Sequence, residues 1–298
     1  MALIDWMRLL LLASVWGTSF MFIEVSLRGF GPFTIVFVRI LLGVFALLIY
    51  CAVRGIRIDT SRSALRAYAV MGLLANVIPF SLLTIGQTQV DSGLSSIFIA
   101  ATPLLTVIVA HLWGRTEVAT PARICGTAIG LAGVALLMGT NVLRSNEQQF
   151  LGEVALLCAA LFYALSAVYG RRLPRQAPAA NATAMLLAAT PICAIVAFAL
   201  EQPLASLPPV APVAALLALG FLSTGFAYVI YLTILANAGS TYAMLVTLVQ
   251  PPIAILLGTM LLGEKLDSSQ FAGFGLIAVG LLLVDGRVLK PFSSRKTP

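Results

Sequence analysis

The chain has 298 residues, of which 60% are hydrophobic and only 10% charged, and its mean hydropathy is +1.02. Soluble domains are typically about 45–50% apolar and about 25% charged, so the composition excludes a water-soluble protein and indicates a chain embedded in a membrane along its whole length. The net charge of +7 would suggest nucleic-acid binding in a soluble protein. Here the basic residues lie mostly between apolar runs and indicate membrane topology, so no nucleic acid is expected as a partner.

Ten apolar runs follow one another along the chain. They cover residues 6–27, 33–53, 67–86, 92–113, 121–143, 150–169, 179–200, 212–235, 241–262 and 269–284. Each is close to the roughly 20 residues that cross a hydrocarbon core as a helix. The first run is too long for a cleaved signal peptide, and no clear cleavage site follows it. The sequence therefore predicts an all-α polytopic membrane protein with ten transmembrane helices.

Lys and Arg residues are concentrated on one side of the predicted membrane. With a cytoplasmic N-terminus, the inner segments contain Arg8, Arg54, Arg57, Arg62, Arg66, Arg115, Arg123, Arg171, Arg172, Arg175, Arg287, Lys290, Arg295 and Lys296. The outer segments contain only Arg28, Arg144 and Lys265. Because cytoplasmic loops are enriched in basic residues, both chain termini are predicted to face the cytoplasm.

The sequence offers little for a metal or a catalytic site. Cys51, Cys125, Cys158 and Cys193 lie singly in apolar runs without CxxC spacing, and His111 has few ligand types nearby. The GxSxG, HExxH and paired-aspartate patterns do not occur, and neither does a nucleotide-binding P-loop. We therefore expect no enzyme activity, no cofactor and no use of ATP by this chain, and nothing points to an obligate protein partner.

The second half of the sequence matches the first at a shift of 147 residues. The aligned pairs are Trp16 with Tyr163, Ser19 with Ser166, Glu117 with Glu264, Gly126 with Gly273, and Gly133 with Gly280. Each half contains five apolar runs, and an odd number of crossings means that the second half enters from the opposite side. This predicts two inverted five-helix repeats around a central cavity, residues 1–145 and 146–298, the second ending in a basic tail. Chance matching of apolar sequence is the alternative, but it explains the Gly and Glu pairs poorly.

Several motifs resemble those of one transporter family. "TPLLTVIVAHLWGRTE" in the fourth run, "QPPIAILLGTMLLGEKL" in the ninth, "VWGTSF" in the first and Arg39 in the second resemble the EamA-type drug/metabolite transporter superfamily. Within it, the chain is most similar to the bacterial exporters of aromatic amino acids. The resemblance implies a ten-helix exporter in the bacterial inner membrane, with the pore lined mainly by runs 1, 3, 4, 6, 8 and 9. Two departures are Glu24, where many relatives carry Lys, and Pro103, one residue further from Glu117 than Pro251 is from Glu264.

Polar and aromatic residues form stripes on the helices that the family places around its pore. Asn76, Phe80, Thr84 and Gln87 follow an i, i+4, i+8, i+11 spacing and share one helix face. The candidate substrate-binding residues are Trp16, Ser19, Phe20, Asn76, Phe80, Thr84, Ser95, Ile99, Thr102, Pro103, Tyr163, Ser166, Thr224, Tyr228, Tyr231, Tyr242, Gln250 and Pro251. Lipid cannot hydrogen-bond to such groups, so they are expected to face protein or a cavity. The alternative for each Ser or Thr is a bond to its own helix backbone.

The candidate residues suggest an amphipathic cargo. Aromatic walls with neutral hydrogen-bonding groups suit a molecule with a flat or apolar body. No run has Lys at its centre and Arg39 is the only mid-run Arg, which favours a neutral or zwitterionic small molecule over a phosphorylated one. The helix interruptions at Pro103 and Pro251 are candidates for holding the carboxylate of a zwitterion, because Pro leaves backbone groups unpaired.

The leading function is therefore a secondary transporter that exports aromatic or hydrophobic amino acids and related metabolites by alternating access. The alternative is efflux of amphipathic drugs or cationic dyes, which needs an anionic group facing the pore. Glu24 is the candidate for it, although it lies about 24 Å along the helix from Arg8 and so near the outer surface. Glu24 and Gln87 are expected to act in gating or coupling, and Glu117 and Glu264 in loop or gate structure. The expected partners are the small-molecule substrate and the lipid bilayer.

Overall fold

The computed structural model describes residues 3–114, 121–143, 147–201, 208–238 and 246–285, and the regular elements in these ranges are all helical. We number the helices α1 (Leu3–Leu27), α2 (Pro32–Val53), α3 (Arg62–Gly72, Leu73–Val77 and Ile78–Gly86), α4 (Ser92–Ala100, Thr102–Val109 and Ala110–Gly114), α5 (Pro121–Leu143), α6 (Glu147–Tyr169), α7 (Pro178–Leu200), α8 (Val210–Ala218, Leu219–Phe226 and Ala227–Ala238), α9 (Val246–Leu257 and Gly258–Leu262) and α10 (Ser268–Asp285). A short 3₁₀ turn, Gly170–Arg172, follows α6.

Seven of these helices are long and apolar enough to cross a membrane. Their spans are Met7–Leu27, Pro32–Val53, Arg62–Gly86, Ser92–Trp113, Glu147–Arg172, Pro178–Leu200 and Val210–Tyr231. The described apolar parts of α5, α9 and α10 are shorter, at Ile124–Met138, Val249–Leu262 and Ser268–Val284. The all-helical, polytopic class is therefore confirmed. The number of ten crossings and the division into repeats 1–145 and 146–298 stay predictions.

The outer helix surfaces are apolar, as expected where lipid replaces water. On α2, the side chains of Phe45, Ile49 and Val53 are exposed and recur every four residues, which places them on one stripe. Ile40 and Leu47 lie on the other face and are fully buried. A soluble protein would rarely expose so continuous an apolar stripe. The stripe identifies the lipid-facing side of α2.

Two kinds of interruption shape the helices. α3 contains a π-helical turn at Leu73–Val77, just before Pro79, whose ring has no N–H and clashes with the preceding turn. A longer π-helical stretch, Leu219–Phe226, divides α8. α4 is interrupted at Ala101, two residues before Pro103. π-helical turns frequently occur at functional sites, because they redirect side chains and free carbonyl groups.

α5 and α10 pack backbone against backbone along four glycines. A Cβ atom added to Gly126 would lie 2.6 Å from the carbonyl oxygen of Gly280, and one added to Gly133 would lie 2.7 Å from that of Gly273. Any side chain at these positions would separate the two helices. We call this contact the glycine seam. It joins the last helix of each predicted repeat.

We expect the substitution Gly280→Ala to destabilise the protein by about 1–3 kcal/mol, as overpacking does in dense cores. Its Cβ would lie 2.5 Å from the Gly126 carbonyl oxygen and 2.7 Å from the Gly130 nitrogen, which are backbone atoms. The matched control is Gly275→Ala on the same helix, where a Cβ meets nothing within 4 Å. Thermal unfolding in detergent should show a lower midpoint for Gly280→Ala alone. Equal midpoints for the two variants would contradict the close seam.

Candidate functional site

A cationic side chain lies buried between α2, α3 and α8. Arg39 on α2 is only 4% exposed, and its guanidinium carbon lies 3.9 Å from the centroid of the Phe80 ring on α3. Its Nε donates to the hydroxyl oxygen of Thr224 on α8 over 3.4 Å. Gly43, one turn further along α2, permits this approach, because a Cβ there would lie 2.6 Å from the Thr224 methyl carbon. The sequence therefore brings α8 close to α2 at the level of Arg39.

Aromatic and amide groups complete this region. The Tyr228 hydroxyl on α8 donates to Oδ1 of Asn76 on α3 over 3.2 Å. The Phe80 ring packs edge-on against Tyr163 of α6, with ring centroids 6.4 Å apart. We define the Arg39 cluster as Arg39, Asn76, Phe80, Tyr163, Thr224 and Tyr228.

The two π-helical turns supply two members of the Arg39 cluster. Asn76 lies within the turn Leu73–Val77 of α3, and Thr224 within Leu219–Phe226 of α8. The Thr224 hydroxyl donates to the carbonyl oxygen of Leu219, five residues earlier, over 3.1 Å. This bond satisfies a backbone group of the widened turn while leaving the hydroxyl oxygen available to Arg39.

A second aromatic contact joins α1 to α8. The rings of Trp16 and Tyr231 lie 5.4 Å apart, and the indole Nε1–H of Trp16 donates to the carbonyl oxygen of Ser223 over 3.1 Å. In return, the Ser223 hydroxyl donates to the carbonyl oxygen of Val15 over 3.2 Å. These reciprocal bonds fix the Trp16 ring at the α1–α8 interface.

The close packing of α9 against Gly17 explains why the residue after Trp16 has no side chain. A Cβ at Gly17 would lie 3.0 Å from the carbonyl oxygen of Gln250 and 2.9 Å from Cβ of Ile253, both on α9. α1 therefore contacts α8 through Trp16 and α9 through the bare backbone of Gly17. The Trp-Gly pair allows one turn of α1 to pack closely on two sides.

Most of the predicted hydroxyl side chains bond to nearby backbone. Ser19, Thr84, Ser95, Thr102 and Ser166 each donate to a carbonyl oxygen three to five residues earlier. The bond from Thr102 to Ile99 occupies a carbonyl group beside the interruption of α4. For these residues the structure favours the alternative interpretation, in which the hydroxyl satisfies its own segment of backbone.

The remaining predicted residues are divided between the core and the helix contacts. Phe20 and Ile99 belong to the main apolar core, and Gln250, Pro251 and Pro103 are buried within their helices. Gln87 is buried, and its Nε2 donates to the carbonyl oxygen of Phe20 over 3.0 Å, which joins α3 to α1. Tyr242 and Glu117 lie outside the described residues. The structure thus gathers only part of the predicted set around one point, and α2 contributes to it although the family resemblance did not imply a pore role for that helix.

One face of the protein carries a charged cleft of about 420 Å³. It is lined by Glu24, Arg28, Asp91, Leu262, Gly263, Glu264 and Lys265. Glu264 accepts hydrogen bonds from the backbone N–H groups of Ser92 and Gly93, both over 3.0 Å. Anionic groups are stabilised at the start of a helix by these free N–H groups and by the helix dipole. Glu264 therefore fastens the end of α9 to the start of α4.

The local sequence places Glu264 for this contact. Gly263 has a positive φ of 74°, a conformation that glycine adopts without a Cβ penalty, and it ends the last turn of α9. Gly93 leaves room for the carboxylate at the start of α4. A Cβ at Gly93 would lie 3.3 Å from a Glu264 carboxylate oxygen, which is closer than most Cβ contacts in proteins. This accounts physically for the Gly-Glu motif of the ninth run. Glu201 makes an equivalent contact, accepting from the backbone N–H groups of Phe33 and Thr34 at the start of α2.

Two residues in these contacts are not among those that the sequence patterns predict for the site. Arg39 is the only Arg in the middle of a predicted apolar run, but the helical stripes of polar residues do not include it. A lone intramembrane cation is itself a functional signal, because such a charge is costly unless it is used. Ser223 was missed because its role depends on α1, more than 200 residues away in sequence.

These features define an all-helical polytopic membrane protein with a polar and aromatic region buried between its helices. The chain belongs to the EamA-like transporter family, whose model matches residues 6–139 and 150–285. The resemblance noted in the sequence is thereby confirmed, and the family membership identifies a membrane transporter.

Curated relatives align along nearly the whole chain. One is the uncharacterized inner membrane transporter YedA of Escherichia coli (strain K12), with 28% identity over 280 residues, which cover 93% of this chain and 89% of YedA. The uncharacterized transporter YoaV of Bacillus subtilis is 23% identical over 270 residues, covering 90% and 92%. The protein PagO of Salmonella typhimurium is 25% identical over 278 residues, covering 92% and 90%. A solved crystal structure shares the fold, with a TM-score of 0.69 at 18% identity over 97% of this chain and 98% of that one.

Asp91 gives a test of the electrostatics in the charged cleft. Burial, and secondarily the charge of Glu264, raise its pKa above the ordinary value of 3.8. Its contribution to stability is therefore fully present below about pH 4 and is lost as the pH rises through the folded-state pKa. We expect Asp91→Asn to raise the unfolding temperature at about pH 7 and to leave it unchanged at about pH 3.5.

The measurement is thermal unfolding in detergent across this pH range. Glu147→Gln is the control, because it removes one carboxylate from an exposed position in the first turn of α6. A gain for Asp91→Asn that is the same at both pH values would contradict the electrostatic explanation.

Proposed function

We propose that this chain is a secondary transporter that exports aromatic or hydrophobic amino acids and related small metabolites by alternating access. The bacterial relatives support a location in the inner membrane, and the Lys and Arg distribution supports cytoplasmic termini. The observation that carries the proposal is the Arg39 cluster. It combines aromatic rings, a neutral amide and a hydroxyl deep between four helices.

The composition of the Arg39 cluster suits a molecule with a flat body and a polar end. Phe80, Tyr163 and Tyr228 offer ring surface, which packs against apolar or aromatic groups at short range. Asn76 and Thr224 offer neutral hydrogen-bonding groups beside the rings. Small-molecule sites usually combine mostly apolar walls with a few such polar groups. Trp16 and Tyr231 extend the aromatic surface towards α1.

Alternating access is supported by the burial of the cluster. Asn76 and Thr224 are fully buried, so a cargo can reach them only when helices separate.

The glycine contacts are compatible with two inverted repeats. Gly126 packs against Gly280, and Gly133 packs against Gly273. These are the cross-pairs expected if the predicted repeats are related by a two-fold axis. Opening of the charged cleft would break the hydrogen bonds between Glu264 and the start of α4.

Two details bear on how a zwitterionic cargo is held. Beside Pro103, the Thr102 hydroxyl donates a hydrogen bond to the carbonyl oxygen of Ile99. At Pro251, the preceding carbonyl of Gln250 lies against Gly17. These carbonyl oxygens are acceptors and a carboxylate needs donors, so the helix interruptions at Pro103 and Pro251 stay candidates for holding it. Arg39 offers a buried cation for the same carboxylate.

Efflux of cationic drugs or dyes is the second candidate function. It is favoured by Glu24, which lines the charged cleft together with Asp91 and Glu264. Within the Arg39 cluster, however, the only charge is positive. A cation at that point would meet like charge in a medium of low dielectric constant. The buried cluster therefore favours an amino acid over a cationic dye.

Transport by purified protein in proteoliposomes tests the function directly. We expect uptake of labelled L-phenylalanine that unlabelled tryptophan and methionine reduce and that protein-free liposomes do not show. The physical reason is the match between the cargo ring and the aromatic cluster. Movement of a cationic dye by liposomes that move none of the amino acids would transfer the function to drug efflux.

Glu24 gives a test of proton coupling. If its carboxylate carries the coupling proton, an imposed pH gradient should accelerate wild-type transport, and Glu24→Gln should abolish the acceleration while keeping exchange of cargo. Intramembrane acids often have this role. The control is Glu147→Gln, at an exposed position on α6. An unchanged gradient response in Glu24→Gln would assign Glu24 to gating alone.

A further inference from the structure

Arg39 is a buried cation whose charge has no carboxylate partner among the described residues. Its guanidinium lies over the Phe80 ring and its Nε donates to the Thr224 hydroxyl, and both of these groups are neutral. Its Nη1 atom is fully buried and has no hydrogen-bond partner. Buried guanidinium groups are ordinarily paired with an anion, because an unpaired charge in a medium of low dielectric constant is costly.

Asn76 presents a second unused donor in the same cluster. Its Oδ1 accepts from Tyr228, while its Nδ2 is buried without a partner. Arg39 contacts Thr224 and Phe80, while Asn76 contacts Tyr228, one turn after Thr224 on α8, and itself precedes Phe80 by one turn on α3. The two unused donors therefore lie about one helical turn apart. Buried polar groups in folded proteins nearly always have partners, and those that lack one call for a ligand or a function. The cluster therefore has two unpaired hydrogen-bond donors, Arg39 Nη1 and Asn76 Nδ2, and no acceptor for them.

The chemistry of these donors selects the ligand. A guanidinium is a planar fork of N–H groups that matches the two oxygens of a carboxylate. One cation and one neutral amide balance a monoanion, whereas a phosphate dianion would leave a net negative charge buried. The neighbouring rings of Phe80, Tyr163 and Tyr228 require an apolar body attached to the anion.

We propose that Arg39 binds the carboxylate of the transported molecule, with the Nδ2 group of Asn76 as second donor. This inference rests on the proposed function, and it names the group that orients the cargo. The carboxylate lies between α2 and α3, and the cargo's apolar body lies against the tyrosine rings of α6 and α8. The cluster contains no counter-charge for an ammonium group. The carboxylate, rather than the amino group, is therefore the feature that the protein selects.

Competition among matched ligands tests this assignment in the wild-type protein. The readouts are inhibition of labelled L-phenylalanine uptake in proteoliposomes and thermal stabilisation of the detergent-solubilised protein. The probes are 3-phenylpropionate, which keeps the ring and the carboxylate, and phenylalanine amide, which keeps the ring and the amine. We expect 3-phenylpropionate to bind at least about tenfold more tightly than the amide, as loss of a charge-assisted hydrogen bond predicts. Equal binding of the two would overturn the assignment.

Variants locate the selectivity on Arg39. Arg39→Met should reduce the preference for 3-phenylpropionate over the amide to about onefold, and Arg39→Lys should restore part of it, because the charge returns without the planar fork. Arg66→Met is the matched control, since it removes an exposed arginine near the start of α3. An undiminished preference in Arg39→Met, in protein whose unfolding transition remains cooperative, would place the carboxylate elsewhere.

The outcomes for the two proposals are separable. If no amino acid is transported but 3-phenylpropionate stabilises the wild type and not Arg39→Met, the carboxylate site stands and the amino-acid export proposal fails. If phenylalanine and its amide are transported equally well, the export proposal stands and the role of Arg39 fails.

Discussion

Polar groups within hydrocarbon must find their partners inside the protein, because lipid cannot replace the hydrogen bonds of water. This constraint explains most polar contacts in the structure. Hydroxyl side chains such as Thr84 return to their own helix backbone, and the Trp16 indole and the Ser223 hydroxyl satisfy each other's helices. At the helix ends, where N–H groups are free, Glu201 and Glu264 supply carboxylates from neighbouring segments. Each of these polar groups therefore contributes to helix packing as well as to its own satisfaction.

Arg39 departs from this pattern, and the magnitudes show why that matters. Insertion of an Arg at the centre of a membrane helix costs about 2.5–3.5 kcal/mol on biological scales. A cation over an aromatic ring recovers about 0.5–2 kcal/mol, and one long bond to Thr224 adds little. These contacts reduce the cost of the charge without removing it. A purely structural position would be filled at less cost by an apolar residue. The imbalance is what a site for an anionic group requires, since the ligand then supplies the missing interaction.

Much of the fold could be predicted from the sequence, because hydropathy and turn residues act locally. The run at 121–143 coincides with the helix Pro121–Leu143, and most other boundaries lie within a few residues of the predicted ones. The site was less predictable. Helical spacing predicted that Asn76 and Phe80 share a face, and both belong to the Arg39 cluster. It could not reveal that Thr84 bonds to Phe80 of its own helix. Nor could it reveal that Gly43 allows Thr224 to approach Arg39. That contact depends on the packing of distant segments and on a π-helical turn.

Two connections between distant helices differ in how they respond to water. Along the glycine seam, the backbones of α5 and α10 touch directly, and separating them would lose contact without gaining any hydrogen bond. At the charged cleft, Glu264 holds α4 through two hydrogen bonds that water can replace, because the carboxylate and the N–H groups lie beside an open volume. Separation therefore costs less at the cleft than along the seam. A motion that admits cargo to the Arg39 cluster is expected to pivot on the seam and to open near Glu264, where charged groups gain hydration as the helices part.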